Sequence, residues 1–193
     1  MPRNNRGNVG KDAGKRVSGQ GGVGPAPKAS LPGDPQVIGF LNTALKNELT
    51  AISQYFLHSR MLADWGISEL AKKEREESID EMKHADRLIQ RILFLGGLPN
   101  LQNIGKLQIG ENLKEVISCD LALEQHALPD LQSAIVHCER IGDYVSRELF
   151  VDILKSEEDH IDFLQTQFRL VEQMGIENYA QLQTKPNAAG AAS

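Results

Sequence analysis

Glu-x-x-His occurs twice in this 193-residue chain, at Glu81–His84 and at Glu157–His160. On an α-helix, residues three apart share a face, with Cβ atoms about 5–6 Å apart. Each pair therefore brings one carboxylate and one imidazole to one point. A single pair is weak evidence, because Glu and His are common on solvated helix faces. The constraint lies upstream. Glu48 precedes Glu81 by 33 positions, and Glu124 precedes Glu157 by the same 33. The middle of each interval falls on a helix-breaking signal, Asp64-Trp65-Gly66 and Ile141-Gly142-Asp143. Glycine just past a helix end is a stop, and Ser68 and Asp143 are candidate N-caps for the next helix in each case. Each half reads as a helix, a tight turn and an antiparallel helix. Each glutamate lies about 16 residues, or about 25 Å, from its turn. Ligands equidistant from a hairpin turn end level with one another on neighbouring helices.

Two such hairpins predict an all-α fold, a ferritin-like four-helix bundle in which Glu48, Glu81, His84, Glu124, Glu157 and His160 converge. A lone Glu from two helices and Glu-x-x-His from the other two is the ligand pattern of di-iron and di-manganese bundles. The charges explain the pattern. Four buried glutamates are prohibitively costly without compensation. Two divalent metals supply four positive charges against them. Carboxylates and imidazoles suit iron or manganese, and the lack of thiolates argues against structural zinc.

The first helix is expected from Asp34-Pro35, a cap followed by proline at the first helical position, to about Asp64. Ile38, Leu41, Leu45, Glu48, Ile52 and Tyr55 make its inward stripe. Tyr55 reads equally as core packing or as a hydrogen-bonding or electron-donating group near the metals. His58 reads as a satisfied interface or surface histidine rather than a ligand. The second helix should run from about Ser68 to Leu95, stopped by Gly96-Gly97. Its early carboxylates Glu74, Glu76, Glu77 and Asp80 read as mostly solvated. Leu98 to Gly110 is too long for a tight turn and reads as the single long crossover of such bundles. The third helix is expected over about Glu111–Ile141, kinked at Pro129, and the fourth over Asp143–Met174. His126, two residues after Glu124, falls on another face and is not counted as a ligand. A short fifth helix fits Ile176–Gln183. Cys119 and Cys138, about 28 Å apart along one helix, cannot bridge within the chain and read as reduced cytoplasmic thiols. No apolar run is long enough to span a membrane.

The ends differ from the middle. Residues 1–33 hold six basic residues against Asp12, and the remainder carries an excess of negative charge. This Gly- and Pro-rich stretch is expected to be a disordered basic extension, residues 34–183 the folded domain, and 184–193 a disordered tail. The extension reads as an added segment, a natural basic arm or an over-long translation. It lacks aromatic residues, so nucleic-acid binding is not expected.

Residues 33–183 resemble the bacterioferritins, the haem-containing bacterial ferritins. The resemblance rests on Asn47-Glu48-Leu49-Thr50-Ala51-Ile52-Ser53-Gln54-Tyr55-Phe56-Leu57-His58, on Ile79 to Asp86, and on Arg91-Ile92-Leu93-Phe94-Leu95-Gly96-Gly97-Leu98-Pro99-Asn100. It continues in Asp120-Leu121-Ala122-Leu123-Glu124, Asp143-Tyr144-Val145-Ser146-Arg147 and Glu157-Glu158-Asp159-His160-Ile161-Asp162. It implies a hollow homo-oligomer of 24 subunits, built from dimers, that oxidises ferrous iron with oxygen or peroxide and stores ferric mineral. Glu48 and His84 would hold one iron, Glu124 and His160 the other, with Glu81 and Glu157 bridging. Met82 follows Glu81 by about 100° of helix rotation and so should point out of its own bundle. From residues alone it reads as a packing methionine; the resemblance makes it the haem b ligand, shared with a two-fold mate. The resemblance further implies electron supply from a small ferredoxin for iron release; under the over-long-translation reading of the tail, the protein would start near Leu31, where the family begins with Met-Lys-Gly-Asp. Some bacterioferritins carry His where this chain has Glu76, which puts an inner-surface iron site at Glu76 and Asp80 in doubt. The rival readings are a haem-free ferritin, a DNA-protecting mini-ferritin, a redox di-iron enzyme and a non-catalytic cage subunit.

Overall fold

Asp34 opens the first helix: its carboxylate accepts hydrogen bonds from the Gln36 and Val37 amides at 2.8 and 3.1 Å. Pro35 follows at the first helical position, where its missing N–H costs nothing. The computed structural model describes residues 32–184. It consists of α1 (Pro35–Asp64), α2 (Ser68–Phe94), α3 (Leu113–Ile141), α4 (Tyr144–Met174) and the short α5 (Ile176–Leu182). No strand occurs among the described residues. The expected ends lie within two residues of those observed. Of the extensions expected at residues 1–33 and 184–193, residues 1–31 and 185–193 lie outside the described residues.

Three helix ends use one device. Gly66, Gly96 and Gly142 adopt φ of 81°, 77° and 77° just past α1, α2 and α3. In each case the next amide reaches back to the final turn: Ile67 to the Leu62 carbonyl, Gly97 to Ile92 and Asp143 to Cys138. This left-handed closure satisfies carbonyls that a helix end otherwise orphans, and glycine adopts it without Cβ strain. Asp143 then caps α4, accepting from the Ser146 amide at 3.1 Å and from Arg91 at 2.7 Å. Ser68 does not cap α2 as expected. It is the first helical residue, and Ile67 precedes it with no side-chain cap. The Gly66 closure already sets the chain direction there, so α2 starts without one. At the far end, the Tyr179 hydroxyl donates to Gln167 Oε1 at 2.9 Å and fastens α5 to α4.

α1 packs along α2, α3 along α4, and α1 against α3 joins the two hairpins. Residues 95–112 form the crossover. One polar face of α1 holds it down. Asn42 accepts the Asn100 amide, Thr50 the Gly105 amide, Gln54 the Gln108 amide and His58 the Gly110 amide. These helix residues recur at multiples of four, the spacing of one helix face. Gly110 is required where it stands, because a Cβ there would lie 2.3 Å from the Val116 amide nitrogen.

The core is split. One apolar cluster gathers Leu41, Leu45, Leu88, Ile92, Phe150 and Ile153, and a second gathers Leu62, Leu70, Ile117, Leu164 and Tyr179. On all four long helices most of the buried residues between these clusters are polar or charged: Glu48, Thr50, Gln54 and His58, then Glu74, Glu77, Ser78 and Glu81, then Asp120 and Glu124, and Glu157 and His160. The fold places an ionisable layer between two apolar plugs, and that layer is the site.

Candidate metal centre

All six expected residues face this layer. Glu48, Glu81, Glu124, Glu157 and His160 are each no more than 4% exposed, and the His84 side chain is 12% exposed. His84 Nδ1 lies 2.9 Å from Glu81 Oε2, 3.5 Å from Glu48 Oε2 and 4.0 Å from Glu157 Oε1. His160 Nδ1 lies 3.1 Å from Glu124 Oε1. One ligand atom from each of Glu48, Glu81, His84 and Glu157 falls within 4.8 Å of the others. Opposed ligands on one cation, at about 2.0–2.2 Å each, span about this distance. Three helices, α1, α2 and α4, thus contribute to one cluster of hard donors, and α3 adds Glu124 beside His160.

Burial and mutual repulsion move these carboxyls away from their ordinary values. Burial first, then the neighbouring Glu81 charge and a hydrogen bond to it, push the Glu48 carboxyl well above the usual range. Burial also raises Glu81, but hydrogen bonds from Glu48 and His84 outweigh it and hold that carboxyl below its ordinary value. The two carboxyls are thus shifted apart, Glu48 upward and Glu81 downward. Glu157 is also raised, by burial first and then by the neighbouring Glu124 charge and the hydrogen bond to it. Glu157 Oε2 and His160 Nε2 are buried without a hydrogen-bond partner among the described residues. Buried polar atoms are normally paired, and donors left unpaired in a cluster of this composition suit a cation.

Tyr55 is fully buried, its ring edge-on to His160 at 5.2 Å between centroids. Its hydroxyl has no partner among the described residues, which favours the site-related over the packing reading. A small hollow between α1 and α3 is lined by Asn47, Glu48, Leu123, Glu124, His126 and Glu157. His126 is exposed, at the rim of this hollow. Met82 points out of the bundle as expected and is 49% exposed. Glu76 and Asp80 are on the surface, paired with Lys72 and Lys83.

Three expectations need correction. Glu74 and Glu77 are not solvated but 0% and 7% exposed. Nor is His58 at a surface; it is 0% exposed, bonded to Asp120 and to the Gly110 amide. The signal for the two glutamates was available: with Glu81 they recur at steps of three and four, the inward stripe of α2.

The fold and this acid–imidazole layer define a ferritin-like metal-binding bundle, and the ferritin-like domain matches residues 38–174 by sequence. A bacterioferritin of Brucella melitensis biotype 1 is 52% identical over 156 residues, which cover 81% of this chain and 97% of the relative. One of Rhodobacter capsulatus is 50% identical over the same shares. Bacterioferritin BfrA of Mycobacterium tuberculosis is 48% identical over 157 residues, 81% of this chain and 99% of that protein. The chain belongs to the bacterioferritin family.

Proposed function

We propose that this chain is the ferroxidase subunit of a haem-binding iron-storage cage. Iron storage is the activity of the ferritin family. The observation that carries the finer reading is the convergence of Glu48, Glu81, His84, Glu124, Glu157 and His160 in one buried layer. Glu48 with His84 and Glu124 with His160 hold one ferrous ion each, and Glu81 and Glu157 bridge. Two ferrous ions give one electron each to dioxygen, which takes up two protons and leaves as hydrogen peroxide; peroxide as oxidant leaves as two waters. Glu48 and Glu157 release their protons as the ions bind, since a carboxylate must be deprotonated to ligate. Ferric iron then passes into the cavity of a 24-subunit assembly as mineral.

Met82 fits a haem ligand on two grounds: its thioether is half-exposed, and Ile79, one turn earlier on α2, is also an exposed apolar side chain. A second copy of the chain supplies the matching methionine. Met82 would hold the haem b, which would supply one-electron transfer for iron release, with a small ferredoxin as donor. No helix of the described residues is long and apolar enough to cross a membrane. Two free thiols, Cys119 and Cys138, suit the cytoplasm.

The test is an absorption spectrum of the purified assembly during anaerobic, then aerobic, addition of ferrous iron. Fast growth of ferric absorbance, lost in Glu81→Ala and His84→Ala, supports the site. A Soret band of about one haem per two subunits, lost in Met82→Leu, supports the haem. Fast oxidation surviving both alanine variants would mean the ligands are misassigned.

A further inference from the structure

The face of α1 that holds the crossover has one member out of line. Asn42, Lys46, Thr50, Gln54 and His58 recur at steps of four, and all but Lys46 accept a crossover amide. A lysine side chain has no acceptor and cannot join them. Lys46 is half-buried and makes no ion pair among the described residues. It lines instead a hollow of about 210 Å³ between α1, α3 and the crossover. Lys106 enters that hollow from the crossover and His126 from α3. Gly105 sets the approach: its amide donates to Thr50 Oγ1 at 2.8 Å, and a Cβ there would lie 2.9 Å from the same oxygen. The crossover therefore runs close against α1 and holds Lys106 beside Lys46. Among the described residues, no acidic side chain lines the hollow and Lys106 makes no ion pair. Asp130, one turn past His126, accepts from Asn47 Nδ2 at 3.1 Å instead. By contrast Lys72, Lys73 and Lys83 on α2 each pair with a carboxylate one turn away. Two uncompensated cations on one concave surface concentrate positive potential there.

We infer that this hollow binds a small tetrahedral oxyanion, inorganic phosphate, at the outer mouth of the metal centre. The Lys46 and Lys106 ammonium groups supply charge-assisted donors, the stronger class of hydrogen bond. The Gln108 side-chain amide and the His126 ring, both exposed, line the same hollow as further donors. Its size selects a small ligand, since sites for drug-sized molecules run to about 300–1,000 Å³. Asn47, Leu123 and His126 also line the small hollow on Glu48 and Glu124, so the two hollows adjoin. Without an anion, the outer hollow sets positive charge across the approach to those carboxylates. A phosphate dianion makes the mouth neutral or negative, the sign that favours an incoming divalent cation. This effect on cation entry rests on the six-ligand reading above; the anion site itself does not.

The test is equilibrium dialysis of radiolabelled inorganic phosphate against the intact assembly, freed of metal and mineral, at low ionic strength. One saturable site per subunit is expected. Lys46→Met should weaken it about tenfold, and Lys106→Gln by a smaller factor, because that ammonium is exposed. Lys155→Met removes an exposed α4 lysine outside the hollow and should change nothing. An equal loss in Lys155→Met, or full binding in both hollow variants, would overturn the site. Lys106→Gln, at an exposed position, carries the test if Lys46→Met fails to assemble. Adenosine monophosphate as competitor separates the free ion from a phosphate ester; equal or tighter binding of the ester would overturn the assignment to inorganic phosphate. Uptake of Co(II), followed by stopped-flow absorbance, should quicken with phosphate in the parent and be fast and phosphate-independent in Lys46→Met. A phosphate-independent rate in the parent would overturn the effect on cation entry and leave the anion site standing. A parent that binds phosphate but no buried cobalt would overturn the six-ligand reading alone.

Discussion

Glu74 and Asp120 meet carboxyl to carboxyl in the bundle interior, both fully buried. Asp120 Oδ1 already accepts from Gln54 Nε2 at 2.8 Å and lies 2.8 Å from His58 Nδ1. His58 Nε2 takes the Gly110 amide, so His58 is a neutral ring that donates through Nδ1. Asp120 is thus the acceptor of the group, and both Glu74 oxygens are buried without a hydrogen-bond partner among the described residues. Burial first, then Asp120's charge, push the Glu74 carboxyl well above the usual range; Lys73 offsets only part of this.

That relationship sets a pH dependence. The folded-state value of Glu74 is raised above its unfolded value, about 4.3. Its contribution is fully present below that value and is lost as pH rises toward the folded one. The metal-free protein should therefore lose stability between about pH 5 and pH 8. Glu74→Gln keeps a donor toward Asp120 and cannot ionise. Urea unfolding at both pH values should show a flatter dependence in this variant and no loss at the lower pH. An unchanged slope would mean that Glu74 is ionised in the folded protein.

The same cluster anchors the crossover, because Gln54 and His58 each hold Asp120 on one side and a loop amide on the other. Asp120→Ala strands both donors and should cost about 2–4 kcal/mol, since leaving a buried donor unpaired costs more than the bond itself contributed. Hydrogen exchange should then speed up at the Gln108 and Gly110 amides before it does in the helix cores. Destabilisation without faster exchange in the crossover would show that Asp120 acts on the bundle alone.

The bundle and its six donors were legible because both rest on periodicity. Helix length, glycine stops and equal offsets from two turns are all properties of spacing. What spacing does not carry is the partner of a charge. Glu77 and Glu76 are neighbours on one helix, yet one is buried against His160 and the other pairs outward with Lys72. The three- and four-residue steps back from Glu81 marked Glu77 as inward, but not the His160 that it meets. His58 was obscure for a related reason. Its partners lie 62 and 52 positions away, Asp120 on α3 and Gly110 in the crossover. Ser68 misled because a side chain suited to capping stood beside a glycine closure that made the cap unnecessary.

Metal binding to the centre should be linked to protons. Glu48 and Glu157 carry raised carboxyls that must ionise to ligate. If each ion displaces one proton, affinity should fall about tenfold for each pH unit of acidification below the raised values. Cobalt affinity of the chelator-treated protein at about pH 6 and pH 8 measures this. Release of protons into weak buffer on cobalt addition gives the same quantity directly. Affinity that does not change with pH would mean that the carboxylates are already ionised before the metal arrives.

Tyr55 offers a separation of stability from chemistry. Its hydroxyl is buried with no partner among the described residues, while its ring packs edge-on to His160. Burying an unpaired hydroxyl costs about 1–3 kcal/mol. Tyr55→Phe removes the hydroxyl and keeps the ring, so the metal-free protein should be equally stable or more stable by up to about 1–3 kcal/mol. A hydroxyl retained at that cost beside His160 has its use at the centre. Iron oxidation in Tyr55→Phe should therefore slow or change its course, followed by stopped-flow absorbance. Loss of stability with unchanged oxidation would reverse the assignment, making the hydroxyl a structural hydrogen-bonding group and the tyrosine a packing residue.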